Sequence, residues 1–199
     1  MFKKFNTLPV WVELPIDHIT KTLFITENYP GDPEDIINKN TYFYRTLNPS
    51  LSKVKGANNL LNNLCKTLNI ESDKEEFRLK DFIHKFNYFL IDSFPSGKPM
   101  SKHLINETKF NEPWLDKIIE DIEIINPENI IFTCVGSNGI LLPILINRAI
   151  TTGKVDVFKN ILLTPDNKVF KSPSNRWFHD QKINGITHKG FHSQIKSLI

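Results

Sequence analysis

Short apolar runs alternate with stretches of helical periodicity along this chain. Thr22-Leu23-Phe24-Ile25-Thr26 is compact, apolar and β-rich, and Glu27 to Pro33 follows it with Pro and Gly residues that break any regular element, so it predicts a buried strand and a loop. Val54 to Leu68 carries Leu60, Leu61, Leu64 and Leu68 at helical spacing and predicts an amphipathic helix. The pattern recurs with Asn87 to Asp92 as strand, Ser93-Phe94-Pro95-Ser96-Gly97 as loop, and a helix through Trp114, Ile118, Ile122 and Ile125. It recurs again with Asn129 to Val135, the turn Gly136 to Gly139, and an apolar helix over 140–150. Ile161-Leu162-Leu163 and Val169-Phe170-Lys171 are weaker strand candidates leading into 172–177, and a closing helix is expected from Lys189 to Leu198. The charged stretch Asp73 to Lys85 reads as a solvated helix or loop.

Strands alternating with helices predict an α/β fold, a three-layer α/β/α sandwich around a mainly parallel sheet. In such sheets ligands gather beyond the carboxyl ends of the strands, so the loops after Thr26, Asp92, Val135 and Lys171 are where function is sought.

Composition narrows this picture only a little. A length of 199 residues suits a single domain over 1–199, and 40% hydrophobic with 24% charged residues is the balance of an ordinary globular core. A net charge of +3 and a pI near 8.7 permit a nucleic-acid partner without indicating one. Cys65 and Cys134 are far apart, which argues against a disulfide framework or a cysteine-rich metal site and fits a reducing compartment. His179, His188 and His192 lack the accompanying Glu or Cys of a zinc pattern, so no metal is expected. The amino terminus has no apolar stretch of the signal-peptide kind. The expectation is a soluble, cytoplasmic monomer without a cofactor or a membrane partner.

The order of the loops resembles that of the uracil-DNA glycosylase superfamily, over most of the chain from about Thr22 onward. Thr26-Glu27-Asn28-Tyr29-Pro30-Gly31 stands where the superfamily has motifs of the type Gly-Gln-Asp-Pro-Tyr or Gly-Glu-x-Pro-Gly. Ser172-Pro173-Ser174-Asn175-Arg176 stands where it has His-Pro-Ser-Pro or Asn-Pro-Ser. Phe89-Leu90-Ile91-Asp92 matches its strand ending in a base reader, Phe132 to Ser137 its strand and Gly-containing turn, and His188-Lys189-Gly190-Phe191 its closing His-Arg-Gly-Phe. The chain departs from these patterns at Thr26, where glycine is usual, at the inserted Tyr29, and at Ser172, where the best-known members carry a catalytic histidine.

The resemblance implies a DNA partner and hydrolysis of the N-glycosidic bond of a flipped base, uracil or another deaminated or modified one, with water as nucleophile. It implies that Asn28 orients water beside Glu27, that Ser172 occupies the second catalytic position, that Tyr29, Pro30 and Phe43 contact or stack on the base, and that Asp92 reads its edge. An ionised Asp only accepts hydrogen bonds, which suits an exocyclic amine better than the two carbonyls of uracil. Pro173, Ser174, Asn175, Arg176, His188 and Lys189 are then DNA contacts, with Lys171 on the same basic rim and Trp177 or Phe178 as a wedge.

The residues also have plainer readings. Asn28 and Asp32 suit side-chain turns, Asp92 a turn start, Phe43 a core position, and Pro173-Ser174-Asn175 an ordinary turn. Two other functions compete: a non-catalytic DNA-binding module on the same fold, and a different α/β hydrolase. The chain has neither a G-x-S-x-G elbow nor a P-loop.

Overall fold

The three apolar runs of the sequence lie side by side in the computed structural model, which describes residues 1–26, 43–48, 58–92, 112–134, 141–173 and 178–198. A short antiparallel pair, β1 (Phe2–Lys3) and β2 (Leu14–Pro15), precedes the main sheet. The sheet is built from β3 (Thr22–Thr26), β4 (Tyr88–Asp92), β5 (Asn129–Cys134), β6 (Ile161–Leu162) and β7 (Phe170–Lys171). Its order is β4-β3-β5-β6, with β7 also on β5, and every described pairing within it is parallel. All five residues of β3 are buried, as expected of a central strand covered on both faces, and this explains why its sequence is an apolar run rather than an alternation.

The register aligns the strand ends. Thr26 lies opposite Asp92 on one side and Thr133 on the other, while β6 covers the first half of β5 and β7 the second, at Thr133↔Phe170 and Cys134↔Lys171. Between β6 and β7 the chain makes a tight turn in which Thr164 N donates to Lys168 O at 2.9 Å, Lys168 N to Thr164 Oγ1 at 3.1 Å, and Asn167 adopts a positive φ of 56°.

The helices are α1 (Asn59–Thr67), α2 (Glu75–Lys80), α3 (Glu112–Ile125), α4 (Leu141–Thr151) and α5 (Phe191–Lys196). Asn58 caps α1 by accepting from Leu61 N at 3.2 Å, and Leu61 and Leu64 face the core as the leucine spacing requires. The part of the expected helix before Asn58 lies outside the described residues. α1 packs on α2 and α5, whereas α3 packs on α4 and on the 3₁₀ turn Val155–Phe158.

Two expectations need correction. Asp73 to Lys85 is not merely solvated: α2 runs into a π turn at Asp81–Lys85, and Leu79, Phe82 and Ile83 are buried, Phe82 against the Phe24 ring. The charges occupy the outer face, and they obscure an apolar stripe. The closing helix begins at Phe191 rather than Lys189, because β8 (Gln181–Ile183) and β9 (Ile186–His188) form an antiparallel hairpin ahead of it. Asn184 and Gly185 close that hairpin with φ of 51° and 81°, the left-handed pair that a two-residue turn demands.

Tyr44 closes the sheet on the far side of β4. Its hydroxyl donates to Leu90 O at 2.7 Å and accepts from Leu90 N at 2.9 Å, satisfying both backbone groups of Leu90 with one side chain. Among the described residues no helix is long and apolar enough to cross a membrane.

Candidate functional site

Parallel register brings four chain exits to one line. Thr26, Asp92, Cys134 and Lys171 end β3, β4, β5 and β7 at the same edge, so the segments beginning at 27, 93, 135 and 172 all leave from neighbouring points. Three hydroxyl residues are buried there, Thr26 at 6%, Thr133 at 1% and Ser172 at 9% exposure, and Thr133 Oγ1 donates to Ile25 O at 3.4 Å. Polar groups held at the carboxyl ends of parallel strands form the usual floor of a ligand site in such folds.

The sequence-predicted residues fall into distinct groups around this edge. Glu27, Asn28, Tyr29, Pro30, Ser174, Asn175 and Arg176, together with Trp177, lie outside the described residues. The Asp92 backbone ends β4 directly beside Thr26. Ser172 is buried just past β7, and Pro173 is buried with its carbonyl accepting from Asn63 Nδ2 at 2.8 Å, which ties the start of this motif to α1.

Phe43 is not where the resemblance put it. It is 1% exposed, edge-on to Tyr44 at 4.9 Å and to Phe82 at 5.3 Å between ring centroids. A stacking platform must offer a bare ring face to the base. Phe43 offers none and is a core residue, the plainer of its two readings. Phe178 is likewise no wedge: it is 2% exposed, with the His192 ring at 5.2 Å, the His179 ring at 4.7 Å and Lys66 Nζ at 5.7 Å over it.

Basic residues gather beside this edge. A half-enclosed cleft of about 340 Å³ is lined by Lys168, Lys171, His188 and Lys189, with Asp166 the one carboxylate among its described lining residues and Thr164, Thr187, Gln194 and Ser197 supplying polar groups. Its walls are the β6–β7 turn, β7, the end of the β8–β9 hairpin and α5. Lys171, His188 and Lys189, expected to share a rim, do line one cleft, while Arg176 lies outside the described residues. Lys171 N donates to Gln194 Oε1 at 2.8 Å, so α5 holds the end of β7 in place.

Gly190 explains how the hairpin is seated. A Cβ at this position would lie 2.4 Å from the backbone carbon and oxygen of His179 and 2.6 Å from Phe178 O, closer than real side chains approach. Its N–H donates to Asp180 Oδ1 at 2.8 Å, and this bond, followed by one from Ser193, holds the Asp180 carboxyl below its ordinary value. The glycine lets the two ends of the hairpin meet, which directs His188 and Lys189 to the cleft.

Cys65 and His192 have structural employment. Cys65 is buried, and that burial pushes its thiol up to about 12, so it carries no thiolate chemistry. His192 shares a hydrogen bond with Thr67 Oγ1 at 3.1 Å, and its pKa is lowered by burial and then by Lys196 and Lys66. Among the described residues no group of three or more His, Cys, Asp or Glu side chains is placed to hold a metal ion.

Sequence reasoning missed Lys168 and the hairpin. Lys168 carries no motif, but Asn184-Gly185 between Lys182-Ile183 and Ile186-Thr187 is a strong hairpin signal that was available. The fold and this edge define a parallel α/β protein with a carboxyl-edge site flanked by a basic cleft. Comparison with protein-family models, with curated proteins and with solved structures finds no match.

Proposed function

We propose that this chain is a DNA glycosylase-like protein built as a three-layer α/β/α sandwich of the uracil-DNA glycosylase type. The observation that carries the reading is the convergence of the exits after Thr26, Asp92, Cys134 and Lys171 on one edge, because the quoted motifs occupy those exits in the order the superfamily uses. In this reading the flipped base enters above the edge and Asp92 reads it. Asn28, beside Glu27, orients a water molecule. Hydrolysis breaks the C1′–N bond, the water oxygen joins C1′, and its proton leaves with the base. Electrostatic groups near the cationic sugar lower the barrier, and the phosphates are held by Ser174, Asn175, Arg176, His188 and Lys189.

The test is incubation with DNAs carrying uracil, other deaminated bases and mismatches, scored for abasic sites. Asn28→Ala is expected to reduce turnover at least tenfold and leave binding intact, since water positioning acts mainly in the transition state. Arg176→Ala weakens binding to all DNAs and flattens its salt dependence.

A second reading, a non-catalytic DNA-binding module, is favoured by the buried Phe43, which removes the expected stacking platform. Release of no base from the whole panel, with DNA binding retained, selects it.

A further inference from the structure

We propose that the outward face of the β1–β2 pair and the turn after it is a self-association surface, on which a second copy of this chain docks about a twofold axis. Strand alternation sets up the face. Phe2 pairs with Pro15 and Lys3 with Leu14, so Lys3 and Leu14 turn to the body of the protein while Phe2 and Pro15 turn away from it. Leu14 is fully buried, and Phe2 is exposed. A turn closed by His18 N donating to Pro15 O at 3.0 Å adds Ile16 and Ile19, and Ile16 N donates to Met1 O at 3.2 Å, which brings Met1 beside them.

The chain thus places an aromatic ring and two isoleucines where a solvated strand pair calls for polar residues. Phe2, Ile16 and Ile19 each keep more than half of their surface open, and Met1 keeps nearly all of it. At about 200 Å² for an open side chain of this size, the four leave roughly 550 Å² uncovered, at the upper end of the largest patches on monomeric proteins (~300–600 Å²). Two facing copies bury roughly 1,100 Å² from these residues alone, and the flanking Lys4, Glu13, Asp17 and Lys21 carry the total past the ~1,200 Å² at which specific interfaces begin.

The surface is firmly seated. Lys3 Nζ donates to His18 O at 2.9 Å and to Ile125 O at 3.3 Å at the end of α3, and Asp121 of the same helix accepts from Asn6 N at 2.6 Å and Thr7 N at 2.8 Å. A face already held in place loses little freedom on docking.

Charge selects the occupant. Lys4 and Lys21 flank the apolar residues together with Glu13 and Asp17, and all four are exposed. A nucleic acid or an anionic membrane calls for a surplus of positive charge, and carboxylates at the rim oppose both. A twofold axis instead lets the lysines of one copy face the carboxylates of the other, as an isologous interface requires.

This surface lies away from the candidate site. Glu128 N donates to Thr20 O at 3.0 Å and Lys21 N to Asn87 O at 2.7 Å, which puts the segment at the amino ends of β3, β4 and β5, opposite the carboxyl edge. Association leaves that edge open, so the inference is independent of the glycosylase reading.

The experiment is sedimentation velocity of the full chain over about 1–200 μM at roughly physiological salt, where surface charges are partly screened. The mass is expected to rise from 23.1 kDa toward twice that value, with half-association at roughly 1–100 μM, the range of an interface at the small end. Phe2→Glu and Ile16→Glu should each raise the dissociation constant about tenfold or more, and Ile16→Leu should keep it. Ile150→Glu, a control at an equally exposed isoleucine on α4, should leave it unchanged. All these side chains are exposed, so the variants are expected to melt within about 2 °C of the parent, which shows that they fold. Ile16→Glu is also expected to match the parent in DNA binding and base release, so either reading can fail alone. A chain that stays at 23.1 kDa throughout, growth beyond two copies, association that survives Phe2→Glu combined with Ile16→Glu, or equal weakening by Ile150→Glu overturns the proposal.

Discussion

Replacing Gly190 with alanine is expected to loosen the junction on which the basic cleft is built. The added Cβ would start 2.4 Å from His179 C and O and must retreat to the roughly 3.4 Å of ordinary contact, a displacement of about 1 Å. The atoms in its way are backbone, and no rotamer change relieves the clash. Overpacking of this kind costs about 1–3 kcal/mol, and a clash with backbone belongs at the upper end, so ~3 kcal/mol is expected. Moving the hairpin end also strains the 2.8 Å bond from Gly190 N to Asp180, which is part of the same cost. For a chain of this length ~3 kcal/mol lowers Tm by about 6–12 °C. Thermal and urea denaturation measure the loss. A Gly190→Ala variant that melts within about 2 °C of the parent would refute the close-approach argument.

Other consequences follow from single contacts. Tyr44→Phe leaves the buried N–H and C=O of Leu90 without their partner and should cost about 3 kcal/mol by urea denaturation; a loss under ~1 kcal/mol would mean that β4 finds another partner there. Asp180 has its folded pKa held below the ordinary 3.8 by the Gly190 bond and then Ser193, so its contribution is present above 3.8 and disappears as pH falls through the folded value. Asp180→Asn should remove that part of the acid loss in a pH-dependent denaturation series. His18 has its pKa lowered from 6.5 first by burial, then by His84 and Lys3, with Asp17 opposing, so the fold prefers the neutral ring. Its contribution is complete above pH 6.5 and is lost as pH falls toward the folded pKa. His84→Ala should make that acid-side loss smaller, and an unchanged pH profile would exclude the pair as its origin.

Sequence periodicity located the sheet well because its middle strands are covered on both faces. A strand such as Thr22–Thr26 with every residue buried leaves an apolar run that loops and surface helices do not imitate. The same logic failed for Asp73 to Lys85, where charges on the outer face outnumber the few buried positions. It also failed for Phe43. A base-stacking ring and a core ring are the same residue type, and only the neighbours tell them apart: here Tyr44 and Phe82 cover it.

The His188-Lys189-Gly190-Phe191-His192 stretch shows how a short resemblance mixes two kinds of residue. Gly190 is required by the approach of the His179 backbone, Phe191 is fully buried, and His192 is bonded to Thr67. These three positions are set by packing, and a fold that seats its last helix this way would call for them whether or not it touched DNA. His188 and Lys189 remain exposed and reach the cleft. In the proposed reading the DNA contacts of this stretch are therefore its first two residues. Lys168 and Lys171 line the same cleft, the first held by the turn that Thr164 closes and the second by its backbone bond to Gln194 of α5.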